Sequence, residues 1–223
     1  MTRMAAISRS FIAALASATL VRRPFSHWLL RNALPADVAP ALEALPLMPP
    51  GSDTGGRRET HNAERTYCGV VNRRRFPVCD YLARAFQSRP LIQAIKEHMA
   101  IELAGSLLRI EYCQDTDGFW LEPHTDIGAK RLTILVYLSS DPASSNWGTD
   151  LYDEEGHLAG RAPYAFNAGV AFIPGKNTWH GFEPRPIVGI RRSLIVNYVV
   201  PDWRSRHELA FPDRPIGTRA RRA

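Results

Sequence analysis

The chain has 223 residues, 45% of them hydrophobic, enough for one substantial core, and nothing in that length demands a second domain. Its formal charge of +6 gathers at Arg57-Arg58, Arg73-Arg74-Arg75 and the closing Arg219, Arg221 and Arg222; such runs usually coat a solvated face, so a nucleic-acid partner is not expected. Cys68, Cys79 and Cys113 form no CxxC pair, which argues against a disulfide framework or a thiolate zinc site and suits a reducing cytoplasm.

At the N-terminus, Arg3 and Arg9 accompany an apolar run from Phe11 to Leu20 that is too short to span a bilayer, and Val21-Arg22-Arg23-Pro24 is not a small-residue cleavage site. The expectation is an amphipathic helix of a cytoplasmic protein without a membrane span. Residues 8–20 and 26–33 read as helices parted by Pro24, and 37–45 as a third that Pro46 ends. The Pro- and Gly-rich stretch from Pro49 to His61 reads as a loop. Helices follow at 78–86 and 91–103, the second with Ile92, Ile95, Met99 and Leu103 on one stripe and Pro90 at its start. After Gly105 the period changes to two. Strands are expected at 107–112, 119–122, 131–138, 149–152, 171–173, 178–180 and 187–199, punctuated by glycines and prolines. Helices first and strands after, with no crossover helices, predict a mainly β chain with N-terminal helices: a double-sheet jelly roll with helices outside one sheet. The expected organisation is a single domain over 1–223, with a mainly helical part at 1–105, the β core at 106–200 and a basic tail at 201–223.

Three signals carry chemistry. Pro123-His124-Thr125-Asp126 closes a strand, where alternation puts His124 and Asp126 on one face and lets an imidazole and a carboxylate converge. His180 then follows an apolar strand and a Pro-Gly turn. Two histidines and one carboxylate occupy one face of an octahedral Fe(II) and leave three positions open, as oxygen activation requires. The bland alternative is a polar surface turn at 124–126 and a satisfied structural histidine at 180. Finally, Arg191 sits in the apolar stretch from Ile187 to Val200, where burial is costly without an anionic partner. Its planar fork suits a carboxylate, with Ser193 on the same face as a third donor.

This ordered set, His124-Thr125-Asp126, His180 and Arg191-Arg192-Ser193, resembles the Fe(II)/2-oxoglutarate-dependent dioxygenases, and it spans residues 107–200. Within them it looks most like the prolyl-hydroxylase-like branch and its bacterial small-molecule members, although Trp147-Gly148 stands where many relatives have a Gly-Gly pair. The resemblance implies a double-stranded β-helix with Fe(II) on His124, Asp126 and His180. It also implies 2-oxoglutarate as cosubstrate on Arg191 and Ser193, with Tyr137 and Tyr112 as further contacts. The implied reaction is hydroxylation of a C–H bond of a small molecule, such as an amino acid or sugar derivative, with O₂ consumed and succinate and CO₂ released. Alternatives are hydroxylation of a protein residue, a divalent-metal hydrolase on the same ligands, and a jelly-roll binding module without catalysis. The retained Asp126 disfavours a halogenase. His27, His61, His98, His157 and His207 lack ligand partners at useful spacing, and Glu102 and Glu111 read as solvated carboxylates. Substrate walls are expected from 139–148, 153–163 and the arginine-bearing 50–75 stretch.

Overall fold

The computed structural model describes residues 2–50, 56, 65–126 and 128–218. His61, the Arg57-Arg58 pair and the closing run Arg219, Arg221 and Arg222 lie outside them.

Helix α1 (Arg3–Ala16) starts at Thr2, whose hydroxyl accepts from Ala5 N–H at 3.3 Å. It is followed by β1 (Thr19–Val21), β2 (His27–Leu30), α2 (Val38–Glu43) and the short β3 (Thr66–Tyr67). Next come α3 (Val70–Arg75), α4 (Pro77–Phe86) and α5 (Arg89–Met99). Pro77 and Pro90 occupy first-turn positions, where no N–H is needed, and Ala100 in the left-handed region closes α5. The β-rich part then runs β4 (Leu107–Asp115), β5 (Leu121–His124), β6 (Lys130–Tyr137), β7 (Asp150–Tyr152), β8 (Leu158–Arg161), β9 (Gly169–Phe172), β10 (His180–Phe182) and β11 (Arg191–Val199).

The strands form two antiparallel sheets. The larger has the order β1-β2-β9-β6-β11-β4-β3, and the smaller β5-β10-β7-β8. Side-chain alternation on the three central strands of the large sheet sorts two chemistries. Leu108, Ile110 and Tyr112, Leu132, Ile134 and Val136, and Leu194, Val196 and Tyr198 face outward into a core shared with Ile7, Phe11, Leu82, Phe86 and Ile95 of the helices. The odd-numbered residues face the small sheet, where Cys113, Leu135, Tyr137 and Ile195 meet Leu151, Phe119 and Phe182. The helices thus brace the back of the sheet whose front faces the site.

Two antiparallel sheets with packed helices agree with the expected jelly-roll core, but the helical and β parts are less cleanly separated than the sequence predicts. The segment 26–33, expected as a helix, contains β2, because Trp28 and Leu29 find Ala171 and Val170 as antiparallel partners and extend the large sheet; tertiary pairing overrides local preference there. Strands β1 and β3 also come from the first 105 residues, and short 3-10 helices at Pro142–Asn146 and Arg206–Glu208 fall later in the chain. The expected strand from Ile187 begins only at Arg191, after Gly189 adopts φ 82°. No helix among the described residues is long and apolar enough to cross a membrane.

Candidate metal centre and cofactor cavity

Strands β5 and β10 pair so that His124 lies opposite His180. That register brings two residues 56 positions apart to one spot, with ring centroids 4.3 Å apart. Asp126 lies two residues past the end of β5, outside the strand, so its approach to His124 owes more to the loop than to strand alternation. Its carboxylate oxygens are each 3.8 Å from a histidine Nε2, Oδ1 from His124 and Oδ2 from His180. One donor atom from each of the three residues lies within 4.8 Å of the other two, a spacing that can hold one ion.

The protonation pattern suits a metal. His124 Nδ1 is 2.9 Å from the Glu122 carbonyl, and His180 Nδ1 is 2.9 Å from the Thr178 carbonyl. A carbonyl only accepts, so each Nδ1 carries the proton and each Nε2 turns a lone pair toward Asp126. Burial pushes His180 down to about 4, which keeps it neutral and able to ligate near pH 7. For Asp126, burial alone would raise the pKa, yet interactions led by the Lys130 ammonium outweigh it and hold the carboxyl well below its usual range. Lys130 Nζ donates to Asp126 Oδ1 at 2.7 Å, and Thr133 Oγ1 donates to Oδ2 at 2.8 Å.

The three residues line a cavity of about 170 Å³ between the sheets. At one end stands Arg191, which is 3% exposed, so its charge needs a buried anion. Asp115 on β4 supplies one: Arg191 Nη1 donates to its carboxylate, and Nε donates to the Trp147 carbonyl at 2.8 Å. The turn at Trp147-Gly148 therefore anchors the arginine. Its glycine is obligatory, since a Cβ there would lie 1.8 Å from the Ala162 carbonyl oxygen. Arg192 sits on the opposite face, beside Tyr112, which settles the register between the two arginines. Ser193 is fully buried, and its Oγ has no hydrogen-bond partner. It lies two residues from Arg191 but, unlike Arg191, does not itself line the cavity.

The tyrosines divide. Tyr137 is fully buried, stacks on Tyr164 at 4.5 Å, and donates to Thr149 Oγ1 at 3.0 Å, so Thr149 and not the phenol lines the cavity. Tyr112 is turned away altogether: even-numbered β4 residues face the helices, and its hydroxyl donates to the Leu42 carbonyl at 2.9 Å. It is withdrawn as a cosubstrate contact.

At the other end of the cavity only Arg65 falls in a stretch expected to form the walls, 50–75. That end is lined by Arg65, Arg109, Glu111, Trp203, Ser205 and Glu208, and by none of 139–148 or 153–163. Glu111, expected in solvent, is 3% exposed and pairs with Arg109 at 3.0 Å. Arg73 is instead held by Asp80 at 2.6 Å, away from the cavity. His27 is buried, with Nδ1 2.8 Å from the Phe25 carbonyl, a structural role.

No family model and no curated protein matches the chain. Solved structures do. A prolyl 4-hydroxylase from Pseudomonas putida is 17% identical and aligns over 87% of this chain and 94% of its own, with a TM-score of 0.56. A prolyl hydroxylase from Trichoplax adhaerens, in complex with a hypoxia inducible factor oxygen degradation domain peptide fragment, is 15% identical over 88% of this chain and 90% of its own, with a TM-score of 0.60. The chain has the fold of these hydroxylases. An oxidoreductase of the 2OG-Fe(II) oxygenase family from Burkholderia pseudomallei agrees, at 14% identity, 92% and 93% coverage and a TM-score of 0.54.

Proposed function

We propose that the chain is an Fe(II)- and 2-oxoglutarate-dependent dioxygenase that hydroxylates a C–H bond of a small molecule. The observation that carries this reading is the convergence of His124, Asp126 and His180, with both Nδ1 protons already committed and both Nε2 lone pairs inward. A donor set of two imidazoles and one carboxylate favours Fe(II) with open positions over structural zinc, which would be closed by a fourth ligand. Iron bound there supplies the activation of O₂, coupled to oxidative decarboxylation of 2-oxoglutarate to succinate and CO₂.

The chain's own groups prepare that chemistry. Arg191 and the orphaned Ser193 hydroxyl would hold the far carboxylate of 2-oxoglutarate, with Tyr137 acting through Thr149 at the cavity wall. The Arg191 guanidinium carbon lies over the Phe182 ring, 4.5 Å from its centroid, and the ring helps keep water from that end. No side-chain base is required, because the protein's part is position and field. The charged far wall of the cavity supports a polar substrate such as an amino acid or sugar derivative. The likeness to a hydroxylase solved with a peptide supports a second reading, hydroxylation of a protein residue.

Anaerobic addition of Fe(II) and 2-oxoglutarate tests the proposal. The expected result is a weak visible charge-transfer band in the wild type that is absent from His124→Ala. Folded, metal-loaded protein without that band would favour a metal hydrolase, and folded protein that takes up no metal a binding module.

A further inference from the structure

We propose that Thr133 and Asn197 are positioning residues for Asp126, oriented by Arg109. The inference rests on the reading of Asp126 as a metal ligand and goes beyond it. Three buried side chains form a continuous hydrogen-bonded row across the large sheet that ends on Asp126. Arg109 Nη1 donates to Asn197 Oδ1 at 3.1 Å, Asn197 Nδ2 donates to Thr133 Oγ1 at 3.0 Å, and Thr133 donates to Asp126 Oδ2 at 2.8 Å. The row is a product of register: Asn197 on β11 lies opposite Arg109 on one side and Thr133 on the other.

Its polarity admits one direction. A guanidinium has donors only, so the amide of Asn197 must turn its oxygen to Arg109 and its NH₂ to Thr133. The Thr133 oxygen is thereby occupied as an acceptor, and its single proton is directed at the carboxylate. Arg109 itself is fixed by Glu208 at 2.5 Å and Glu111 at 3.0 Å, two carboxylates to one cation, so Asn197 is not needed for neutralisation. The exposures of Arg109, Asn197 and Thr133 are 3%, 0% and 2%, so water does not compete for these bonds. With Lys130 on Oδ1, both oxygens of Asp126 are held, and the carboxylate cannot rotate about its bond to the chain. Partners of this kind raise metal affinity by preorganising the ligand.

The test is an anaerobic Co(II) titration of the full chain, followed through the visible d–d bands, which needs neither cosubstrate nor turnover. Thr133→Val should raise the Co(II) Kd by about 10–100-fold and alter the bands, and Asn197→Leu by about 10-fold, while Thr133→Ser, which restores the hydroxyl, stays close to wild type. Thr133→Ala serves in place of valine should the branched variant fail to fold. Asp126→Ala losing cobalt while folded Thr133→Val or Thr133→Ala and Asn197→Leu keep wild-type Kd and bands would overturn the positioning role alone. Wild-type protein that binds no Co(II) would overturn the metal centre and the positioning role together.

Discussion

Arg191 shows how a single buried side chain constrains its neighbours. A guanidinium 3% exposed must have a counter-charge, and the chain provides Asp115 at the point where a dicarboxylate would arrive. Asp115 therefore stabilises the free protein, and on the proposed function it would compete with 2-oxoglutarate for the same cation. Removing one member of a buried pair costs about 3–5 kcal/mol, because the remaining charge stays desolvated. Asp115→Ala should accordingly lower the melting temperature of the free protein, and 2-oxoglutarate should restore more of it in the variant than it adds to the wild type. Thermal melts with and without 2-oxoglutarate, in the absence of iron, measure this. Equal ligand-induced shifts in the two proteins would show that Arg191 does not receive the acid.

At the scale of elements, the metal centre depends on how closely β5 and β10 approach. Gly181, between His180 and Phe182, permits that approach: a Cβ there would lie 2.6 Å from the Leu121 carbonyl oxygen and 3.1 Å from that of Glu122. Gly181→Ala should push β5 from β10, separate the opposed histidines, weaken Co(II) binding by at least tenfold and cost about 1–3 kcal/mol of stability, as overpacking does. Gly160→Ala, on β8 with nothing within 4 Å, is the matched control and should be neutral in both titrations and melts. This dependence explains what could be read from residues alone. The convergence of His124, Asp126 and His180 and the burial of Arg191 were legible because such side-chain chemistry is costly to bury without a partner. Strands β4, β6 and β11 were legible because their alternation is long. Strand β2 was not, since its partner β9 is about 140 residues away and short apolar runs suit either helix or strand. Tyr112 was misjudged because proximity along a strand says nothing about face until the register is known, and Glu111 because its burial depends on Arg109 and on Glu208, 97 residues further on.

Over the whole molecule, the outer helices and the large sheet supply the apolar burial that allows a polar front to stay dry. Sealing His180 there has a pH-dependent consequence. Its folded value is about 4 against 6.5 for an exposed imidazole, so between those values the unfolded chain binds more protons than the folded one. Stability therefore rises with pH across that window, and the contribution is complete above pH 6.5 and lost as pH falls toward 4. At about 1.4 kcal/mol per unit the metal-free protein should lose about 3 kcal/mol from this group. His27, also lowered by burial, acts with the same sign, whereas the depressed carboxyl of Asp126 adds its loss only at lower pH. Urea unfolding of metal-free protein at steps from pH 7 to pH 4 measures the slope. His180→Leu should retain only the shallower His27 part of it, and a slope unchanged by that substitution would mean that the imidazole is not sealed from water as the fold requires.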